Sequence, residues 1–270
     1  MPELPEVETS RRGIAPFMEG QSVRKLIVRD RRLRWPIPDG LETTLRGLTV
    51  ESLTRRAKYL LFRTQNGTLL LHLGMSGSLR IIEPDEPAGK HDHVDMLMSN
   101  GKALRFRDPR RFGSLLWSEG EQVHPLLAKL GPEPLGEAFD GDYLWQRARG
   151  RRIAIKPFIM NAAIVVGVGN IYASEALFES GIHPFRQAQK VSRARMQNLA
   201  AAIKEVLTRA VTAGGTTLRD FSGGDGQPGY FKQQLAVYDR EGRPCRRCKQ
   251  PLRAAVLGQR ATYYCTHCQK

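Results

Sequence analysis

Three groups of side chains in this 270-residue sequence have types and spacings that suit chemistry, and one lies at its start, Met1-Pro2-Glu3-Leu4-Pro5-Glu6. A Met before Pro is trimmed in the cytoplasm because the next side chain is small, so the mature chain is expected to begin at Pro2 with a secondary amine. An α-amino group has an unperturbed pKa of about 7.7 to 8.0, which leaves a sizeable share unprotonated at neutral pH. Attack of such an amine on an aldehyde-like carbon gives an iminium ion, a form of covalent catalysis with an electron sink. Glu3 follows at once, and Glu6 and Glu8 are close behind. The same residues also read as a helix start, with Pro5 in the first turn and carboxylates complementing the helix dipole. Residue types alone leave both readings open.

The second group is metal-binding. Cys245-x2-Cys248 and Cys265-x2-Cys268 are the only cysteines, with 16 residues between the pairs. Disulfide staples would be scattered, whereas two CxxC knuckles present four thiolates to one tetrahedral zinc ion. His267 lies inside the second pair as a competing ligand, but the symmetry of the knuckles makes four cysteines the simpler set. Thiolates kept available for metal imply a reducing, cytoplasmic setting.

The third group is cationic. Lys and Arg number 42 against 27 Asp and Glu, a formal charge of +15, and 31 of the cations are Arg. The guanidinium fork suits phosphate oxygens, and a basic surface of this strength favours polyanions or anionic membranes. The cations cluster in Arg55-Arg56-Ala57-Lys58, Lys90-His91-Asp92-His93 and Asp108-Pro109-Arg110-Arg111-Phe112. Each run is also simply what a solvated face looks like. Phe112, set among polar and turn residues, is either a core residue or a wedge for a base stack. Gly167-Val168-Gly169-Asn170 opens the run ASEALF, and a glycine turn before a helix offers N–H groups to phosphate. It lacks the third glycine and the preceding β-run of a dinucleotide fingerprint.

These residues need a scaffold. The length suffices for two modest domains, 41% hydrophobic residues supply a core, and wholesale disorder is excluded. No run of about 18 apolar residues exists to span a membrane, and the N-terminus lacks the basic-then-apolar order of an export signal. Residues 20–118 carry short β-type runs, with Asn66-Gly67 and Asn100-Gly101 as hairpin signals, which predicts an antiparallel β-sandwich. Residues 121–136, with three prolines and two glycines, read as a linker. From there to about 213 the period is helical, and Met196, Leu199, Ile203, Val206 and Val211 mark one apolar stripe. Residues 214–231 hold six glycines and read as a mobile binding loop.

Taken together, MPELPEVE, RRAKYL, HLGMSGSL, KHDHVD, DPRRFG, GVGNIYASEALF, GGTTLRDF, DGQPGYF and the terminal four-cysteine ribbon resemble the bacterial formamidopyrimidine-DNA glycosylases over essentially the whole chain. The resemblance implies an α+β protein in three parts. Residues 1–130 would be a catalytic antiparallel β-sandwich with an N-terminal helix, 131–230 a helix-two-turns-helix DNA-binding domain with a lesion loop, and 231–270 a zinc ribbon holding one structural Zn2+. It implies base-excision repair of double-stranded DNA by a cytoplasmic, monomeric enzyme that removes oxidised purines such as 8-oxoguanine and formamidopyrimidines. The damaged base would be flipped out of the duplex, and the abasic strand cut by β,δ-elimination.

Carried over position by position, Pro2 would form the Schiff base at C1′ and Glu3 would act as general acid. Lys58 would assist β-elimination, and Arg260 the δ-step. His91, Arg110 and Arg151 match DNA contacts, Lys156 and Asn170 match phosphate ligands, and Met75, Arg110 and Phe112 match the trio that fills the gap left by the flipped nucleotide. Gly214 to Phe231 matches the loop over the lesion. One departure stands out: where many members read Leu-Leu-Asp-Gln, this chain has Ile159-Met160-Asn161-Ala162, without the carboxylate. Two alternatives remain at this stage. One is the related endonuclease VIII type, which prefers oxidised pyrimidines, although Leu4 and the Met75, Arg110, Phe112 trio favour the purine enzyme. The other is a noncatalytic zinc-ribbon DNA-binding protein, which has no need of Pro2, Glu3 or Lys58.

Overall fold

Pro5 and the early carboxylates do start a helix. In the computed structural model, which describes residues 2–215 and 234–270, α1 runs Leu4–Met18 with Glu3 as its extended N-cap. Glu3 and Glu6 form a reciprocal capping box, so each carboxylate satisfies a backbone N–H that the helix end leaves open. Val7, Ile14 and Met18 lie on one face and are buried.

After α1 come β1 (Val23–Val28), a short α2 (Leu41–Leu45), and then β2 (Ser52–Arg56), β3 (Tyr59–Thr64), β4 (Gly67–His72), β5 (Ser78–Ile82), β6 (Asp92–Met98), β7 (Ala103–Arg107) and β8 (Ser114–Glu119). They form two antiparallel four-stranded sheets, ordered β1-β6-β7-β5 and β2-β3-β4-β8. Alternate residues supply the core: Leu60 and Phe62, Leu69 and Leu71, Leu104 and Phe106, Val94 and Met96, joined by Val7 and Met18 of α1. The β-sandwich is therefore present, closed on one side by the helix that begins with Glu3. The β3–β4 loop is Gln65-Asn66, one residue earlier than the Asn-Gly signal places it, because Thr64 pairs with Gly67.

Chain contacts divide the molecule into two units, Met1–Ala128 with Ala213–Tyr230, and Lys129–Thr212 with Phe231–Lys270. The second unit holds α4 (Gly141–Ala148), α5 (Ile155–Met160), α6 (Asn170–Glu179) and α7 (Arg193–Thr212), preceded in the chain by the four-residue α3 (Pro125–Ala128) of the first unit. Asp140 caps α4 by accepting the Tyr143 N–H at 2.7 Å. In α7 the buried stripe is Met196, Leu199, Ile203, Val206 and Ala210; Val211, expected on it, sits half-exposed beside it. The unit ends in the hairpin β9 (Arg253–Leu257) and β10 (Arg260–Tyr264), turned by Gly258 and Gln259 at φ 55 and 60. Two positive φ values in succession make this a type I′ turn, one of the two commonest two-residue hairpin turns. The glycine-rich segment singled out in the sequence lies mostly outside the described residues. Among the described residues, no helix is long and apolar enough to cross a membrane.

Candidate active site and metal centre

The N-terminal pair is held from behind. Pro2 and Glu3 are buried, and the Glu3 backbone N–H donates to Glu6 Oε2 at 2.8 Å. Gly215, at φ 79, comes up against the same carboxylate: a Cβ there would lie 3.1 Å from Glu6 Oε1. Glu6 thus fixes the backbone of Glu3 and meets the chain where it leads into the glycine-rich segment.

Lys58 sits in the two-residue loop Ala57-Lys58 between β2 and β3. The register places Tyr59 opposite His72, and their rings meet at 4.8 Å. His72 Nδ1 accepts the Gly74 N–H at 2.9 Å, so a neutral ring carries its proton on Nε2. Burial, with the charges of Lys58 and Arg34, lowers the His72 pKa to about 4. The ring next to Lys58 is therefore neutral at physiological pH and does not compete with it for anions.

The residues expected to fill a gap in DNA are gathered by a buried carboxylate. Asp108 accepts Ser76 Oγ at 2.7 Å through one oxygen and the Gly113 N–H at 2.7 Å through the other. Ser76 Oγ in turn accepts the Arg110 N–H at 3.1 Å. The loop carrying Met75 and the loop carrying Arg110 and Phe112 are thereby tied together. Gly74, at φ 63, lets them approach: a Cβ there would lie 2.3 Å from the Phe112 carbonyl carbon. Phe112 is 42% exposed, with the Arg110 guanidinium 4.9 Å from its ring centroid. It is not a core residue. The His91 carbonyl accepts the Asp108 N–H at 3.0 Å, which brings that histidine to the same cluster.

In the second unit three expected residues converge on β10. Lys156, 1% exposed, donates from Nζ to the Ala261 carbonyl at 3.0 Å and Thr262 Oγ1 at 2.8 Å. Asn170 Nδ2 donates to the same Ala261 carbonyl at 3.0 Å. Arg260, exposed, starts the strand they hold, and Arg151 is exposed three residues beyond the end of α4. Asn170 is the first residue of α6, after the Gly169 N-cap, so it stands among the open N–H groups of a helix N-terminus. Asn161, the departure noted in the sequence, ends α5 and accepts the Ala163 N–H on Oδ1 at 2.9 Å. An aspartate would accept there in the same way, so the local turn survives the lost charge.

The sulfurs of Cys245, Cys248, Cys265 and Cys268 form one cluster with all ligand atoms within 4.8 Å of one another. Lys249, at φ 66, returns its N–H to the Cys245 carbonyl at 3.0 Å, which shapes the first knuckle. His267 is exposed and outside the cluster. Four soft donors at this spacing fit one tetrahedral zinc ion.

Comparison with known proteins gives three family matches in chain order: the formamidopyrimidine-DNA glycosylase N-terminal domain at residues 1–115, the helix-two-turns-helix domain of those glycosylases at 130–222, and the zinc finger they share with isoleucyl-tRNA synthetase at 242–270. The formamidopyrimidine-DNA glycosylase of Stutzerimonas stutzeri is 60% identical, covering 100% of both chains. The chain belongs to the formamidopyrimidine-DNA glycosylase family. The Stenotrophomonas maltophilia member is 58% identical, again over 100% of both chains. Among solved family structures, a Lactococcus lactis variant in complex with Fapy-dG-containing DNA superposes with TM-score 0.93 at 33% identity over 100% of both chains. That of Thermus thermophilus gives 0.89 at 37% identity, covering 99% of this chain and 98% of the other.

Within this glycosylase scaffold some residues escaped the sequence reading. His72 was available from the hairpin register that sets it opposite Tyr59, and Asp108 and Ser76 lay inside quoted motifs without a role. Glu175 is the hardest to find. It lies in the buried run of α6, 3% exposed, and accepts the N–H groups of Ala236, Val237 and Tyr238 at 2.7, 3.0 and 2.8 Å. Burial pushes its carboxyl up, against the pull of those three donors. Its only sequence signal is a carboxylate within the otherwise apolar ASEALF run.

Proposed function

We propose that this chain removes oxidised purines, 8-oxoguanine and formamidopyrimidines, from double-stranded DNA and then cuts the strand as an abasic-site lyase. The observation that carries this is the N-terminal pair, with Pro2 and Glu3 buried at the open end of α1 and the Glu3 backbone fixed by Glu6. The Pro2 nitrogen attacks C1′, the C1′–N bond to the base breaks, and the base leaves with its electron pair. Glu3 protonates the sugar ring oxygen as the ring opens to the iminium. Loss of the C2′ proton then expels the 3′ phosphate, with Lys58 as acid, and Arg260 supports the second elimination.

Met75, Arg110 and Phe112 fill the vacated space, and His91, Arg151 and Asn170 contact the backbone. Lys156 belongs with these residues by position, but its buried ammonium acts on Ala261 and Thr262, so its role is to hold β10 and Arg260 in place. Division into a catalytic part at 1–130, a helical DNA-binding part at 131–230 and a ribbon at 231–270, action as a monomer, and a cytoplasmic, nucleoid-associated location complete the proposal.

Sodium borohydride tests it, because an iminium is reducible and direct hydrolysis forms none. Protein beginning at Pro2 is expected to cross-link to duplexes containing 8-oxoguanine, faster opposite cytosine than opposite adenine. The guanidinium of Arg110 suits the acceptors of cytosine, a contact worth about 1 to 3 kcal/mol. No cross-link would sink the amine mechanism, and a faster reaction with an oxidised pyrimidine would move the chain to the endonuclease VIII type.

A further inference from the structure

The β2–β3 loop that carries Lys58 has the wrong residue for its shape. The commonest two-residue hairpin turns have φ above zero at the first loop position, which favours Gly, Asn or Asp there. Here that position is Ala57, at φ 55 and buried. A side chain with a Cβ is unfavourable in the left-handed region, so something outside the loop must hold it there. Arg55 Nη1 donates to the Ala57 carbonyl at 2.8 Å, and Arg55 Nε reaches Glu8 Oε2 at 3.2 Å. The two side chains are only 12% and 13% exposed. Glu8 lies on the second turn of α1, the helix whose first turn follows Pro2 and Glu3.

Glu8 is itself fixed. Arg11 donates to both its oxygens and to the Leu53 carbonyl of β2 at 3.1 Å. Burial raises the Glu8 pKa, but the hydrogen bonds from Arg11 and Arg12 and the charges of Arg11 and Arg55 outweigh it and hold the carboxyl below its ordinary value. Glu8 is thus held in its charged form where it meets the Arg55 guanidinium.

We infer that Glu8 and Arg55 form a strut that sets the position of Lys58 relative to the Pro2 amine, so that Arg55 is a positioning residue for strand cleavage. The inference rests on the assignment of Pro2 and Lys58 to the reaction. The strut joins the helix bearing the nucleophile to the loop bearing the acid. Both ends act through the fork of one guanidinium, and Lys cannot bridge a carboxylate and a carbonyl in that geometry.

The test is single-turnover cleavage of a duplex with a preformed abasic site, beside binding affinity and thermal midpoint. Misplacing a reacting group by about 1 Å is enough to slow a reaction on the order of 100-fold, so Arg55→Met and Arg55→Lys are expected to cleave roughly 10- to 100-fold slower with affinity unchanged. In a Lys58→Ala background Arg55→Met should add nothing. Ala57→Gly, which removes the Cβ penalty, should restore part of the rate to Arg55→Met. A full multiplicative loss in the Lys58→Ala background would make Arg55 merely structural and overturn the strut. So would wild-type cleavage by Arg55→Met and Arg55→Lys beside a slow Lys58→Ala. Wild-type cleavage by Lys58→Ala would instead overturn the assignment of Lys58 and the strut with it.

Discussion

At the scale of single residues, the first unit keeps its cations effective by keeping their neighbours neutral or paired. His72 shows this best, because its ring touches Tyr59, takes the Gly74 N–H on Nδ1 and lies in the field of Lys58 and Arg34. Its pKa falls from 6.5 to about 4, first through burial and then through those two charges. A depressed pKa stabilises the fold while both states are neutral, that is, above about 6.5. As pH falls from 6.5 to 4 the unfolded chain takes up a proton that the folded chain refuses, and stability drops. The whole shift corresponds to roughly 3 kcal/mol, about three quarters of it lost by pH 4.5 and the rest at lower pH. Urea unfolding at pH 7 and 4.5 should therefore show the wild type losing about 2 to 3 kcal/mol more than His72→Asn, which carries no such proton. Equal losses in the two proteins would mean that neither burial nor the charges of Lys58 and Arg34 depress the pKa of this ring.

Among the elements, β10 is where the helical part of the second unit meets its ribbon. Lys156 of α5 and Asn170 of α6 both donate to the Ala261 carbonyl, and Lys156 also donates to Thr262. Lys156→Met keeps the volume of the buried stem but leaves those acceptors short of a donor, at about 1 to 3 kcal/mol for a buried polar group. Amide exchange along β9 and β10 should quicken by roughly 5- to 150-fold while α7 stays protected, since 1.4 kcal/mol is a factor of ten. Exchange that quickens equally in α7 would make the lysine a general core residue. Sequence reading found the strands, because alternation puts Leu60 and Phe62 or Leu69 and Leu71 on one face, and it found the cysteine ribbon, because ligand spacing is local. That Lys156 donates to partners 105 and 106 residues away is something no local pattern reports. Glu175, Asp108 and the Glu8–Arg55 pair were hidden for the same reason. The misplaced Val211 is a lesser case, in which the 3.6-residue period let an adjacent Ala210 take the buried position.

For the molecule as a whole, the +15 charge and the clustered cations imply binding dominated by phosphate contacts. Each phosphate neutralised releases counterions, so log affinity should fall linearly with log salt, by nearly one unit of slope per contact. Net charge alone does not say which cations make those contacts, and burial separates them. Arg151 and Arg260 are exposed and able to meet a phosphate, whereas the Lys156 ammonium is enclosed against β10. Arg151→Ala and Arg260→Ala should each weaken binding to an abasic duplex and shallow the slope by about one unit. Lys156→Met should weaken binding, through the loosened strand, with the slope unchanged. Titrations at several salt concentrations distinguish the two kinds of loss, because a positioning residue alters how well contacts are made at every salt while a phosphate ligand alters how many counterions leave. A slope shallower by one unit in Lys156→Met would show that its ammonium leaves Thr262 for the backbone when DNA binds, and would return this lysine to the phosphate ligands.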